Sequence, residues 1–136
     1  MVRALLVDDH PTFLTVIQAE LAALRELIVV GYAQSGQGAL EQVQQLQPDL
    51  VILDIAMPGM NGLEVARRIK AQAHSVAVVL VSMHDTLAYR SASMSVADGF
   101  VAKDRLDIHL LPLVVRLFPA LAINADGVDD EHLFGD

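Results

Sequence analysis

Apolar and polar positions along the chain follow two different rhythms. Short runs dominated by Val, Leu and Ile at 3–7, 28–32, 50–53, 76–81 and 99–102 have the near-continuous hydrophobicity of buried strands. The segments between them, roughly 12–24, 38–46, 62–71, 87–97 and 107–118, space their apolar residues three or four apart and predict helices. Five strand–helix units in succession predict an α/β fold, a parallel sheet covered on both faces by helices and joined by right-handed crossovers. This is a three-layer sandwich. No internal repeat or low-complexity tract interrupts it, so we expect one domain over residues 1–120 and a polar tail or linker at 121–136, closing on "NADGVDDEHLFGD".

Composition narrows the picture. A hydrophobic fraction of 54% with only 4% aromatics describes an aliphatic core, the usual filling of parallel sheets. The absence of cysteine excludes disulfides, thiol catalysis and thiolate-bound zinc, and fits a cytoplasmic setting. "MVRALLVDD" turns acidic too early for a secretion signal. The longest apolar run, "LLPLVVRLFPALAI" at 110–123, contains Arg116 and two prolines, so no membrane span is expected. A net charge of −8 opposes direct binding to nucleic acid, which needs clustered Lys and Arg. Cations are the better-matched guests.

Candidate chemistry gathers where strands end. "LLVDDHP" at 5–11 finishes the first strand with two adjacent carboxylates, Asp8 and Asp9, followed by His10 and Pro11. A helix cap explains one aspartate and the proline at the first helical position, but not the pair. Asp54 ends the third strand, Ser82 the fourth, and Lys103 follows the fifth. Open α/β sheets bind ligands at this carboxyl edge, where the strand order reverses. In a flavodoxin-like (βα)5 order, 2-1-3-4-5, strands one and three flank that point and bring Asp8, Asp9 and Asp54 together. Three carboxylates in one small space require a proton or a cation between them. Mg²⁺ suits all-oxygen donors, here the carboxylates of Asp9 and Asp54 with the backbone carbonyl of Ala56 as a further one.

Taken together, "ALLVDDHP", "PDLVILDIAMPGMNGLEVARRI", "VLVSMHD" and "DGFVAKD" resemble the receiver domains of two-component response regulators, in particular those of LuxR/FixJ-type transcription regulators. The resemblance covers residues 2 to about 118. It implies that Asp54 accepts a phosphoryl group from a sensor histidine kinase, that Asp8 and Asp9 hold Mg²⁺, and that Ser82 and Lys103 complete the catalytic set. Phe100 falls at the aromatic switch position, coupled to Ser82. Such a domain catalyses its own phosphorylation and dephosphorylation without being a conventional enzyme. Two alternatives stand beside it. A degenerate receiver would act as a phosphorylation-independent interaction module, and a Mg²⁺-dependent phosphatase would want a D-x-D first strand, which "VDDHPT" is not.

The sequence departs from the family at several positions. Val96 replaces the usual glycine, so a remodelled loop is expected ahead of the last strand. Ala56 and His84 occupy positions that tune dephosphorylation, and Pro112 is expected to delay or kink the last helix. From Ile108 to Ile123 apolar residues point nearly all round that helix, which predicts a partner surface, a homodimer contact.

Overall fold

The structure is a computed structural model that describes residues 1–84 and 86–121. The tail expected beyond 121 lies outside the described residues. Five strands, β1 (Val2–Val7), β2 (Leu27–Ala33), β3 (Leu50–Asp54), β4 (Ala77–Ser82) and β5 (Gly99–Ala102), alternate with five helices. These are α1 (Pro11–Leu21), α2 (Gly36–Leu46), α3 (Gly62–Gln72), α4 (Leu87–Val96) and α5 (Leu106–Leu117), with a short 3-10 turn, Lys103–Arg105, leading into α5. All strand pairs are parallel, as the strand–helix rhythm predicts, and the sheet order is β2-β1-β3-β4-β5, the flavodoxin-like order expected above.

Strand alternation sorts the core into two layers. Leu5, Val7, Val51, Leu53, Val78, Leu80, Phe100 and Ala102 face one way, against Ala39 and Val43 of α2 and Val65, Ala66 and Ile69 of α3. Ala4, Leu6, Leu50, Ile52, Val79, Val81 and Val101 face the other, against Leu14, Ile17 and Leu21 of α1 and Leu110, Leu113 and Val114 of α5. Burying both faces at ~25 cal/mol per Å² of apolar area drives the sandwich together. Helix α4 is the exception. Its only fully buried side chain is Ser93, while Leu87 and Met94 stand exposed.

Three expectations change. Helix α1 stops at Leu21, three residues short, because Ala23 and Leu24 tighten into 3-10-type bonds to Glu20 and Leu21 that turn Leu24 into the core. Ahead of β5, Val96 needs no glycine's freedom: it is the last residue of α4, and among the described residues Gln47 is the only non-glycine with a positive φ. Asp98 then fixes the turn, its Oδ2 accepting from Val78 N at 2.8 Å and Lys70 Nζ at 2.9 Å. Finally, α5 runs through Pro112 without interruption. Proline leaves the carbonyl of Ile108 without its helical donor, and both residues lie on the exposed side, where water can serve instead.

Candidate functional site at the carboxyl edge of the sheet

Parity along the strands decides which groups meet. Asp8 continues the series Ala4, Leu6; Asp54 continues Leu50, Ile52; Lys103 continues Val101; all three therefore lean toward the α1/α5 side at the carboxyl edge. There they touch. Lys103 Nζ lies 2.7 Å from Asp8 Oδ2 and 3.5 Å from Asp54 Oδ2, with all three side chains almost wholly buried. The aliphatic stem and ammonium are closed over by α1, where the Phe13 ring centroid is 3.9 Å from Nζ.

The turn after β1 is built from the "DDHP" stretch. Asp8 N donates to Ala33 O at 3.0 Å and extends the ladder by one residue. Asp8 Oδ1 accepts from His10 N at 2.9 Å, and Pro11 opens α1 with His10 as its cap residue. No side chain caps this helix, so neither aspartate is spent on the structural role that would have explained it.

Asp54 is oriented from its own backbone. Oδ1 accepts from Ala56 N at 3.2 Å, leaving Oδ2 directed at the pocket. The loop beyond β3 returns tightly: Ala56 bridges Asn61, Gly62 N donates to Ile55 O at 2.8 Å, and Asn61 Oδ1 caps α3 through Leu63 N. Gly62 is required here, since a Cβ would fall 2.5 Å from the Asp54 carbonyl oxygen. Gly59 makes the turn possible with φ +91°.

Three carboxylate oxygens, Asp8 Oδ2, Asp9 Oδ1 and Asp54 Oδ2, are shut off from solvent, and the only ammonium that reaches them is that of Lys103, 2.7 Å from Asp8 Oδ2 and 3.5 Å from Asp54 Oδ2. One lysine stands against three carboxylates. Burial first, and then the Asp8 charge, push the Asp54 carboxyl above its ordinary value, against the pull of Lys103 and the Ala56 amide. An excess of buried carboxylate over cation is the chemistry that a hard divalent ion satisfies, so the residues present fit Mg²⁺.

Ser82 and Phe100 lie on the opposite parity, facing α3 and α4. Ser82 pairs with Ala102 and Phe100 with Leu80, so the two are diagonal neighbours on one face beside the small Ala102 side chain. Ser82 Oγ is buried and accepts from His84 N at 2.9 Å. The His84 ring stacks on Tyr89 of α4, and Arg90 of the same helix lies 5.0 Å from the Phe100 ring centroid. Phe100 is thus tucked under α4, beside a cleft also lined by Met94, His109, Pro112 and Arg116.

The structure therefore brings Asp8, Asp9, Asp54 and Lys103 together, with Ser82 and Phe100 on the adjoining face. Sequence reasoning missed Phe13 and Arg90. An aromatic one turn into a helix carries no local sign that its face will cover a lysine ninety residues away.

A parallel 2-1-3-4-5 sheet with an acid-and-lysine pocket at its carboxyl edge is the architecture of a receiver domain. The family profile of the response regulator receiver domain matches residues 4–114, and the chain belongs to that family, as a receiver of LuxR/FixJ type. It is 36% identical over 102 residues to the nitrate/nitrite response regulator protein NarL of Escherichia coli K12, covering 74% of this chain and 47% of that protein. It is 34% identical over 116 residues to the probable transcriptional regulatory protein NarL of Mycobacterium tuberculosis H37Rv, covering 84% and 53%. The signal receiver domain of the putative response regulator NarL from M. tuberculosis superposes with a TM-score of 0.78 at 33% identity, covering 85% of this chain and 94% of that one. The chain spans about half the length of the curated relatives it matches. Among the described residues no helix is long and apolar enough to cross a membrane.

Proposed function

We propose that this chain accepts a phosphoryl group on Asp54 from the phosphohistidine of a sensor kinase, with Mg²⁺ held by Asp8, Asp9, Asp54 and the Ala56 carbonyl. The observation that carries this reading is Asp54 Oδ2, buried, unused by the backbone and 3.5 Å from the Lys103 ammonium. Its lone pair forms the new O–P bond as the donor's N–P bond breaks, and the departing imidazole keeps that electron pair. The bound cation supplies charge neutralisation on the phosphoryl oxygens. Lys103 does the same from the other side, without moving far, and leaves Asp8 to follow the new charge. Ser82 then donates its hydroxyl to a product oxygen, and Phe100 turns into the space beside Ala102. This selects between two packings of α4. A phosphorylation-independent interaction module would leave the buried carboxylates of the pocket without a use.

Intact-mass analysis after acetyl phosphate and Mg²⁺ tests the assignment. Wild type gains one phosphoryl group and Asp54→Asn none; equal labelling of both would remove Asp54 from the role.

The relatives' names describe transcriptional regulators, and we propose that the switch acts on transcription through an output region or partner, not through contacts of this acidic domain with DNA. We further propose a homodimer contact on α5. Most of its apolar girth is covered by α1 and the sheet, and Leu121 folds back into the core. Ile108 remains 52% exposed, flanked by the half-buried Leu111 and Val115. Residues 122 and 123 of the expected contact lie outside the described residues. Light scattering with beryllofluoride should report a dimer for wild type and a monomer for Ile108→Glu. A wild type that stays monomeric throughout defeats this contact.

A further inference from the structure

Beside the oxygen donors of the acidic pocket stands one nitrogen that the metal assignment above does not use. His10 Nδ1 lies 3.2 Å from Asp9 Oδ1 and 3.4 Å from Asp8 Oδ1. One donor atom from each of Asp8, Asp9, His10 and Asp54 falls within 4.8 Å of all the others. Neighbouring ligands of an octahedral ion are separated by √2 bond lengths, about 3.0 Å for bonds of about 2.1 Å, and opposite ligands by about 4.2 Å. The imidazole nitrogen is therefore spaced from the carboxylates as a ligand is from its neighbours. The acidic cluster is not the only sign of a cation: Asp8 Oδ2 and Asp54 Oδ2 belong to side chains at least 97% buried and share a single ammonium, that of Lys103, at 2.7 and 3.5 Å.

The ring is also held in place before any ion arrives. Pro11 restricts His10 to extended backbone, observed at φ −103° and ψ 109°. His10 N is tied to Asp8 Oδ1 at 2.9 Å, and the Phe13 ring meets the imidazole edge-on with centroids 6.3 Å apart. The same Phe13 covers Lys103 on its other flank of the pocket. Exposure of 61% leaves the ring open to solvent, so its Nδ1 can exchange a carboxylate neighbour for an ion at little cost in burial.

We propose that His10 Nδ1 is a ligand of the divalent ion in this pocket and biases it toward a nitrogen-accepting transition ion such as Co²⁺ or Zn²⁺ over Mg²⁺. This rests on the pocket being a cation site, as proposed above. Mg²⁺ is hard and gains little from imidazole, whereas later first-row ions take imidazole readily. The competing role is electrostatic. A His10 that only neutralises Asp8 and Asp9 must be displaced by any ion, and its removal would strengthen all ions alike.

Calorimetric titration of the full chain with Mg²⁺ and, separately, Co²⁺ at one fixed pH of about 7.5, above the ordinary histidine pKa of about 6.5, separates the two. Carboxylates alone already favour Co²⁺, so the deciding quantity is the change on mutation. In His10→Ala the Co²⁺ affinity should fall about tenfold or more, with Mg²⁺ altered less than about twofold. The proton NMR spectrum of the Co²⁺-loaded wild type should show a far-shifted, exchangeable imidazole N–H that His10→Ala lacks. Both ions binding, with His10→Ala shifting them equally or tightening both, would overturn the ligand role and leave the pocket intact. Failure of either ion to bind wild type, or unchanged binding of both in Asp9→Ala, would overturn the pocket itself.

Discussion

The ammonium of Lys103 and the ring of Phe13 are 3.9 Å apart, centre to nitrogen, so the cation that balances the acidic pocket also rests on the first turn of α1. The pocket and the α1/α5 side of the sandwich are mechanically joined through this one side chain.

Lys103→Met should show what that cation does. Methionine keeps a long flexible stem against Phe13 but leaves buried carboxylates unbalanced, a change that typically costs about 3 kcal/mol. In chelator the variant should melt well below wild type. Adding Mg²⁺ should stabilise it more than it stabilises wild type, because the added cation meets a larger uncompensated charge. Equal Mg²⁺ shifts in thermal melts would contradict this reading.

The raised pKa of Asp54 makes a pH-dependent prediction. The native chain holds a proton on Asp54 over a range where the unfolded chain has lost it, so this group's contribution to stability falls as pH rises from the ordinary carboxylate value through the raised one. Above that range the buried charge opposes folding. Asp54→Asn in chelator should therefore melt a few degrees higher than wild type at neutral pH, at about 3 °C per kcal/mol for a domain of this size. The gain should shrink as pH falls through the window. A gap independent of pH would show that the carboxylate's charge is not its cause.

Gly62 offers a purely steric test. Gly62→Ala places a methyl against the backbone of Asp54 and Ile55, and should cost about 1–3 kcal/mol in urea denaturation while lowering phosphorylation by acetyl phosphate. Gly59→Ala is the control. That position has open space and only backbone strain, so it should lose about 1 kcal/mol and keep its phosphorylation. Equal loss of labelling in both would detach Asp54's geometry from the Gly62 contact.

The strands and the charged pocket were legible because they are written locally. Four of the five apolar runs lead directly into a polar residue, and alternation by twos then decides that Asp8, Asp54 and Lys103 share a face while Ser82 joins Phe100 on the other. Contacts set by where helices dock were not. Phe13 over Lys103 and Arg90 over Phe100 depend on the seating of α1 and α4, and nothing in a helical period of 3.6 encodes that. The end of α1 escaped for a related reason: residues 22–24 contain no glycine or proline, and it is the burial of Leu24 that turns the chain. At Val96 the departure from the family's glycine predicts a remodelled loop, whereas the residue closes α4 without a positive φ and Asp98 ties the following turn to β4 and α3.

Asp98 has a consequence at the other end of the molecule. It binds the first residues of β4 and, through Lys70, the last turn of α3, at the edge of the sheet farthest from Asp54. Strands β4 and β5 are thus clamped at their roots, with Phe100 close to the clamp and Ser82 and Ala102 paired at the tips, like two tines of a fork. A fork struck at the tip bends there and stays still at the handle. Amide exchange should accordingly be slowest at Val78 and quicken toward Ser82 and α4, and in Asp98→Ala, which loosens the handle, that gradient should flatten.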